Sequence, residues 1–404
     1  MAAAPMLTTP PLALYVHFPW CVQKCPYCDF NSHALHGELP ADRYISALLS
    51  DLDAQAATVA GRPLVSVFFG GGTPSLFSPD SLANLISAIH ERFKVEDPVE
   101  LTLEANPGTI ERGRFAEYRA AGVSRVSLGA QTFAASKLAV LGRIHGPDDT
   151  RRAATELHAA GLDNFNLDLM YGLPDQTVAE AVADVEAALA LEPAHLSHYQ
   201  LTLEPGTVFA AHPPSLPTEE ICDDILAACQ SRFAAAGFAR YEVSAYARAG
   251  RACQHNLNYW QFGDYLGLGA GAHGKLTDPA RDVIERTRQP RDPRRYLKAD
   301  PAGMVTETVP RAERPFEFML NALRCVTGFD AKLFEARTGL ACDDIAPTLE
   351  SLVARGLLMR ELGPQIPARW RPSERGFRFL NEVLLDFLSS DRKISSDVGR
   401  SAVL

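Results

Sequence analysis

YVHFPWCVQKCPYCDFNSHA, residues 15–34, sets Cys21, Cys25 and Cys28 in the spacing C-x3-C-x2-C, and no fourth cysteine follows nearby. Three thiolates this close suit a structural zinc, a redox pair with a bystander, or an iron–sulfur cluster. A structural zinc is normally closed by four protein ligands, and only His33 stands close by to complete the set. A thioredoxin-like pair uses Cys25-Pro26-Tyr27-Cys28 and leaves Cys21 without a role. A cluster on three thiolates keeps one iron open.

Outward from this stretch, short apolar or β-branched segments alternate with helical patterns as far as about residue 240. LALYVHF (12–18), LVSVFF (64–69), VELTLEA (99–105), RVSLGAQ (125–131), NFNLDLM (164–170) and HLSHYQLTL (195–203) read as strands. DRYISALLSDLDAQAA and EAVADVEAALALE lie between them with helical length and spacing. That alternation predicts βαβ units around a parallel sheet. Unusual residues cluster at the carboxyl ends of successive strands: the cysteine loop, Gly70-Gly71-Gly72, Glu104-Ala105-Asn106-Pro107, Gln131 and Asp168. Such convergence belongs to a barrel mouth, so an α/β fold with a partial (β/α)6 barrel is expected over 11–240, after a flexible start at 1–10.

From about 241 the rhythm changes. YLGLGAGAHG is followed by RDVIERTRQPRDPRRY, which reads as an exposed connection, so 241–300 is expected to be a barrel extension and linker. Phe316, Met319, Leu320 and Leu323 recur at helical spacing, as do Ile345, Leu349, Leu352 and Val353. GLLMRE and RWRPSERG suggest two short strands, and Leu380, Val383, Leu384 and Phe387 a last helix. This order predicts a small helical, winged-helix-like domain over 301–390. The tail, 391–404, reads as disordered.

With 404 residues, the chain is longer than one core usually supports, which favours two domains. A formal charge of -10 argues against general nucleic-acid binding, which needs basic surface. No apolar run reaches the roughly 20 residues of a membrane span, and the start lacks a signal-peptide pattern. Cys222, Cys229, Cys253, Cys325 and Cys342 are scattered singly, as a reducing cytoplasm permits.

An iron left open by three thiolates chelates an amino acid's amine and carboxylate, which S-adenosylmethionine offers. LYVHFPWC-x3-CPYCDFNSH, FFGGGTPSL, EANPGT, GAQTF, LGRIHG, NLDLMYGLP and HNLNYWQFGDYLGLGAGAH stand here in the order of a known family. Across about residues 11 to 390 the chain resembles the radical S-adenosylmethionine proteins of the oxygen-independent coproporphyrinogen III oxidase family, and within it the HemW branch of haem chaperones.

The resemblance implies a [4Fe–4S] cluster on Cys21, Cys25 and Cys28, with S-adenosylmethionine met by Tyr15, Gly71, Gly72, Thr73, Glu104, Gln131, Arg143 and Asp168. Thr202 is a weaker candidate. A carboxylate suits Arg143, and ribose hydroxyls suit Asp168. The motif His255-Asn256-x-x-Tyr259-Trp260 is associated in that branch with haem, for which a neutral imidazole is a common axial ligand. His273 is secondary, and Arg286, Arg288, Arg291, Arg294 and Arg295 are available for haem propionates or belong to a solvated loop.

Two functions follow from the resemblance. One is radical decarboxylation of coproporphyrinogen III propionates to vinyl groups; the other is carriage of haem to apo-haemoproteins, those of the respiratory chain among them. The oxidases resemble C-x3-C-x2-C-x-C, and Phe30 takes the place of that further cysteine here. They also carry an N-terminal extension, whereas fourteen residues precede Tyr15. Both differences favour the haem carrier. For residues 301–390 the expected uses are docking or dimerisation, with DNA binding disfavoured.

Overall fold

The computed structural model describes residues 5–59, 61–109, 114–298, 303–363 and 366–388. The expected tail at 391–404 lies outside them. Six parallel strands form the run predicted from the sequence: β1 (Leu12–Phe18), β2 (Leu64–Gly71), β3 (Val95–Ala105), β4 (Arg125–Gln131), β5 (Phe165–Tyr171) and β6 (His195–Gln200). Each pairs with the next in parallel. Helices cross between them and bury their apolar stripes on the sheet. Val178–Leu189, for example, buries Ala181, Val185 and Ala188. Its start is fixed by a capping box: Glu180 N–H donates to Thr177 Oγ1 at 3.2 Å, and Thr177 N–H donates to Glu180 Oε2 at 2.8 Å.

The sheet continues past both ends of this run. β7 (Ala239–Arg240) and β8 (Ala245–Ala247) extend the β6 side antiparallel. On the other side β9 (Asp264–Leu268) pairs parallel with β1, followed antiparallel by β10 (His273–Asp278), β11 (Val283–Arg288) and β12 (Val305–Thr308). The order is β12-β11-β10-β9-β1-β2-β3-β4-β5-β6-β8-β7.

Here the structure corrects the sequence reading. Residues 283–288, expected within an exposed connection, are a paired strand, and Tyr296 beyond them is buried. The flexible start is also revised: Leu7 is buried, and Thr8 N–H donates to Ala336 O at 2.9 Å.

A second apolar core gathers Phe316, Phe318, Leu349, Leu352, Trp370 and Leu384, joined by Leu7, Phe262 and Ile284 from the earlier chain. Its helices include Arg314–Ala322, Ala331–Thr338 and Ala346–Ala354, of which the middle one was not anticipated. β13 (Phe329–Asp330), β14 (Leu358–Gly363) and β15 (Ile366–Pro372) form a small antiparallel sheet. The expected strand RWRPSERG ends at Pro372, because Ser373 Oγ caps the next helix by accepting from Gly376 N–H at 3.0 Å. Among the described residues no helix is long and apolar enough to cross a membrane.

Candidate functional site

The carboxyl ends of β1 to β6 surround one cavity of about 480 Å³. Cys21, Cys25 and Cys28 line its mouth as half-buried free thiols. Their loop is shaped by its own polar groups: Lys24 Nζ donates to Phe30 O at 3.1 Å and to Ser32 O at 3.0 Å. Trp20–Cys21 and His33–Ala34 pair and close its base.

The glycines leaving β2 are required by contact. A Cβ on Gly72 would meet Trp20 O at 2.6 Å and Phe18 O at 2.8 Å, and one on Gly71, at φ 114°, would meet the His17 ring at 2.4 Å. The backbone bend that results lets Gly71 N–H donate to Glu104 Oε2 at 2.9 Å. Burial raises the Glu104 carboxyl to about 7 against this bond, with Asp168 adding to the rise and Arg125 opposing it. Burial likewise raises Asp168, although it accepts from Asn166 Nδ2 at 2.7 Å and Ser127 Oγ at 3.3 Å.

Gln131 ends β4 at φ 68°, and its Oε1 accepts from Tyr199 Oη at 2.7 Å. Arg143 donates to Gly129 O at 2.8 Å and to Cys25 Sγ at 3.7 Å, which sets a guanidinium beside the thiols. Of the cofactor residues expected from the sequence, Gly71, Gly72, Thr73, Glu104, Gln131, Arg143, Asp168 and the weaker Thr202 all line this cavity with the three cysteines. Tyr15 stands behind the wall, its Oη 2.9 Å from His17 Nδ1.

The haem motif divides. Asn256 lines the cavity, while His255 is 2% exposed, stacked on Phe68 with ring centroids 4.9 Å apart. Its Nδ1 lies 3.0 Å from Ser66 Oγ, its Nε2 is unpartnered among the described residues, and burial, then Arg125, lowers its pKa to about 3. Tyr259 packs edge-on against Tyr265 at 4.3 Å, and Arg324 covers the Trp260 ring at 4.3 Å. His273 is exposed on β10, and Arg294 and Arg295 are exposed on the helix Pro293–Tyr296. Arg286 is committed to Glu317 and, at 3.0 Å, to Tyr265 Oη; Arg288 lies 3.7 Å from Glu307. Arg291 is exposed and offers its carbonyl to Asn31.

Sequence reading missed the residues on the inner faces of the strands: Arg125, Ser127, Asn166, Ser197 and Tyr199. A signal was present. Arg125, Ser127, Gly129 and Gln131 alternate along one strand, as do Asn166 and Asp168 along the next, and a period of two puts each set on one face.

A Radical SAM superfamily model matches residues 15–188, and a HemN C-terminal domain model matches 309–379. Heme chaperone HemW of Escherichia coli is 47% identical over 95% of this chain and 100% of its own length. The chain belongs to the HemW family. Heme chaperone HemW of Haemophilus influenzae is 45% identical over 95% of this chain and 99% of its own. The solved coproporphyrinogen III oxidase (HemN) from E. coli superposes with a TM-score of 0.78 at 22% identity, covering 94% of this HemW-family chain and 90% of the oxidase. That likeness concerns the fold: an α/β radical-SAM domain followed by a helical C-terminal region.

Proposed function

We propose that this chain is a cytoplasmic haem chaperone that holds a [4Fe–4S] cluster, binds S-adenosylmethionine and passes haem to apo-haemoproteins, including membrane-bound respiratory enzymes. The observation that carries the reading is the convergence of three thiols with the ends of β2 to β5 on one cavity; the relatives named haem chaperones supply its direction.

The donors fit the cluster. Cys21, Cys25 and Cys28 are three free thiols lining one cavity, and a four-iron cluster takes each thiolate on a separate iron. When bound, cluster and cofactor supply a one-electron cleavage of the sulfonium C–S bond. The chain's residues bind and orient: the backbone at Gly71, Gly72 and Thr73 takes the amine, Arg143 the carboxylate, and Asp168 the ribose hydroxyls. Glu104 and Gln131 complete the wall, and Tyr15 supports it through His17. In this reading residues 11–240 are the cofactor barrel, 241–300 its extension, and 301–390 a docking domain.

Val22, Phe30 and Ile144 stand 49%, 59% and 42% exposed at the cavity and offer apolar contact to a macrocycle. His255 remains the proposed axial ligand. In the packed helix burial keeps the imidazole neutral, and Nε2 has no partner among the described residues. Ligation requires the helix Gln254–Trp260, with Asn256, Tyr259 and Trp260, to shift from its packed position. Titration of haemin is expected to give a Soret band that weakens in His255→Ala; an unchanged spectrum and affinity remove His255 as ligand.

The oxidase is the second reading, favoured by the complete cofactor wall. Anaerobically reduced, reconstituted protein given cofactor and coproporphyrinogen III is expected to form no protoporphyrinogen IX. Its formation would overturn the carrier-only reading.

A further inference from the structure

Arg125 opens β4 at the floor of the cavity, lines it, and is 2% exposed. Its Nε is buried without a partner, and no hydrogen bond from its guanidinium occurs among the described residues. Three carboxylates share its field, Glu100, Asp168 and Glu104, and none accepts a hydrogen bond from it among the described residues; Glu104 accepts from Gly71 N–H. Glu100 accepts from the Cys253 thiol at 3.2 Å and from the backbone N–H groups of Gln254 and His255 at 3.0 and 3.1 Å. Asp168 accepts from Asn166 and Ser127. These groups offset the charge of Arg125 and leave its donors unused, and a buried donor without an acceptor is costly. Asn256 lines the same cavity, and no hydrogen bond to its side-chain amide occurs among the described residues.

The position separates this pair from the cofactor's amino acid. Arg143 lies beside Cys25 and on Gly129 O at the mouth, whereas Arg125 is four residues down β4 from Gly129, about 13 Å of extended strand away. A carboxylate chelated next to the cysteine loop does not also reach Arg125.

We propose that Arg125 and Asn256 form a carboxylate-binding subsite at the cavity floor, for a ligand other than the sulfonium cofactor. The planar guanidinium matches a carboxylate in bidentate fashion, and the Asn256 amide adds a third donor. A haem propionate and a small free carboxylic acid carry the same group; the first source rests on haem binding in the cavity with the helix Gln254–Trp260 in its packed position, not on ligation by His255, and the second rests on neither.

The test uses the full-length chain and the variants Arg125→Gln and Asn256→Ala, each checked by thermal melting. Haemin and haemin dimethyl ester are titrated by absorbance, and sodium propionate by calorimetry. Wild type is expected to prefer haemin to its ester by about tenfold or more, and the variants to lower that preference below about twofold. If esterification changes nothing but propionate binds wild type and neither variant, the subsite stands with a small acid as its ligand. If the variants match wild type in both arms, the floor holds water only and the proposal is overturned. Failure of wild type to bind haemin removes the haem reading and leaves the propionate arm to decide the subsite. Should Arg125→Gln not fold, Asn256→Ala keeps the guanidinium in place and decides alone.

Discussion

Asn31 Nδ2 donates to Ala270 O at 2.9 Å and ties the end of the cysteine loop to the glycine-rich segment after β9. The same nitrogen donates to Arg291 O at 3.0 Å, and the Asn31 carbonyl lies 2.9 Å from His17 Nε2. A Cβ on Gly271 would stand 2.3 Å from the Asn31 amide, so the glycine is what permits the approach. Residues 269–272 thus hold the loop against β1.

Asn31→Ala removes two hydrogen bonds that anchor this loop without touching a cysteine. Each is worth about 1 kcal/mol net, a modest loss spread over a fold of this size. The expected result is a nearly unchanged melting temperature with faster loss of iron from reconstituted protein under a chelator. Equal iron-loss rates in variant and wild type would show that the loop needs no such anchor.

Gly72→Ala tests the bend after β2. The new methyl would press on two carbonyl oxygens, at 2.6 and 2.8 Å, and backbone cannot move aside as a flexible side chain does. S-adenosylmethionine affinity is expected to fall at least about tenfold, an energy near 1.4 kcal/mol. Calorimetry on the reconstituted protein measures it, with Gly61→Ala as a control for backbone strain without contact: no atom lies within 4 Å there and φ is 78°, whereas Gly72 is limited by contact alone.

The cofactor wall was legible because polar and glycine residues break apolar strands at their carboxyl ends, where a parallel α/β fold puts its site. β9 was not. DYLGL carries glycine, which reads as a loop, yet a Cβ on Gly267 would meet His273 O at 2.0 Å; tight packing of β9 on β10 demanded the residue that hides the strand. The helix Ala331–Thr338 escaped for another reason: only Phe334 and Thr338 are buried on it, too few for an apolar stripe. The burial of His255 was likewise hidden, since a motif shows which residues recur together and not which way the helix turns them.

Glu104 sets a pH dependence. Its folded pKa is raised to about 7 by burial, above the ordinary 4.5 of an unfolded glutamate. A raised pKa means the folded state holds the proton more tightly, so this stability is fully present below about pH 4.5 and is lost as pH rises through 7. Allowing for the cavity's solvent, the change is on the order of 2 kcal/mol. The apoprotein is expected to lose melting temperature between pH 5 and 7.5 more steeply than Glu104→Gln. Parallel profiles would place the titrating group elsewhere.

Asp264 begins β9 fully buried and accepts from Lys275 Nζ at 2.8 Å, from Thr277 N–H at 3.0 Å and Thr277 Oγ1 at 2.8 Å, and pairs with Arg62 at 2.9 Å. Lys275, 1% exposed, lies 4.4 Å from the centre of the Phe262 ring, so this charge pair sits where the barrel extension meets the second core. Removing one member of a buried pair leaves the other unpaired, at a cost of about 3–5 kcal/mol. Asp264→Asn keeps the size and strands the ammonium; Lys275→Met leaves Asp264 with Arg62 as its counter-charge. Denaturant unfolding is therefore expected to show the larger loss for Asp264→Asn. Equal losses would mean that Arg62, on the surface side, contributes nothing to Asp264 once the lysine is gone.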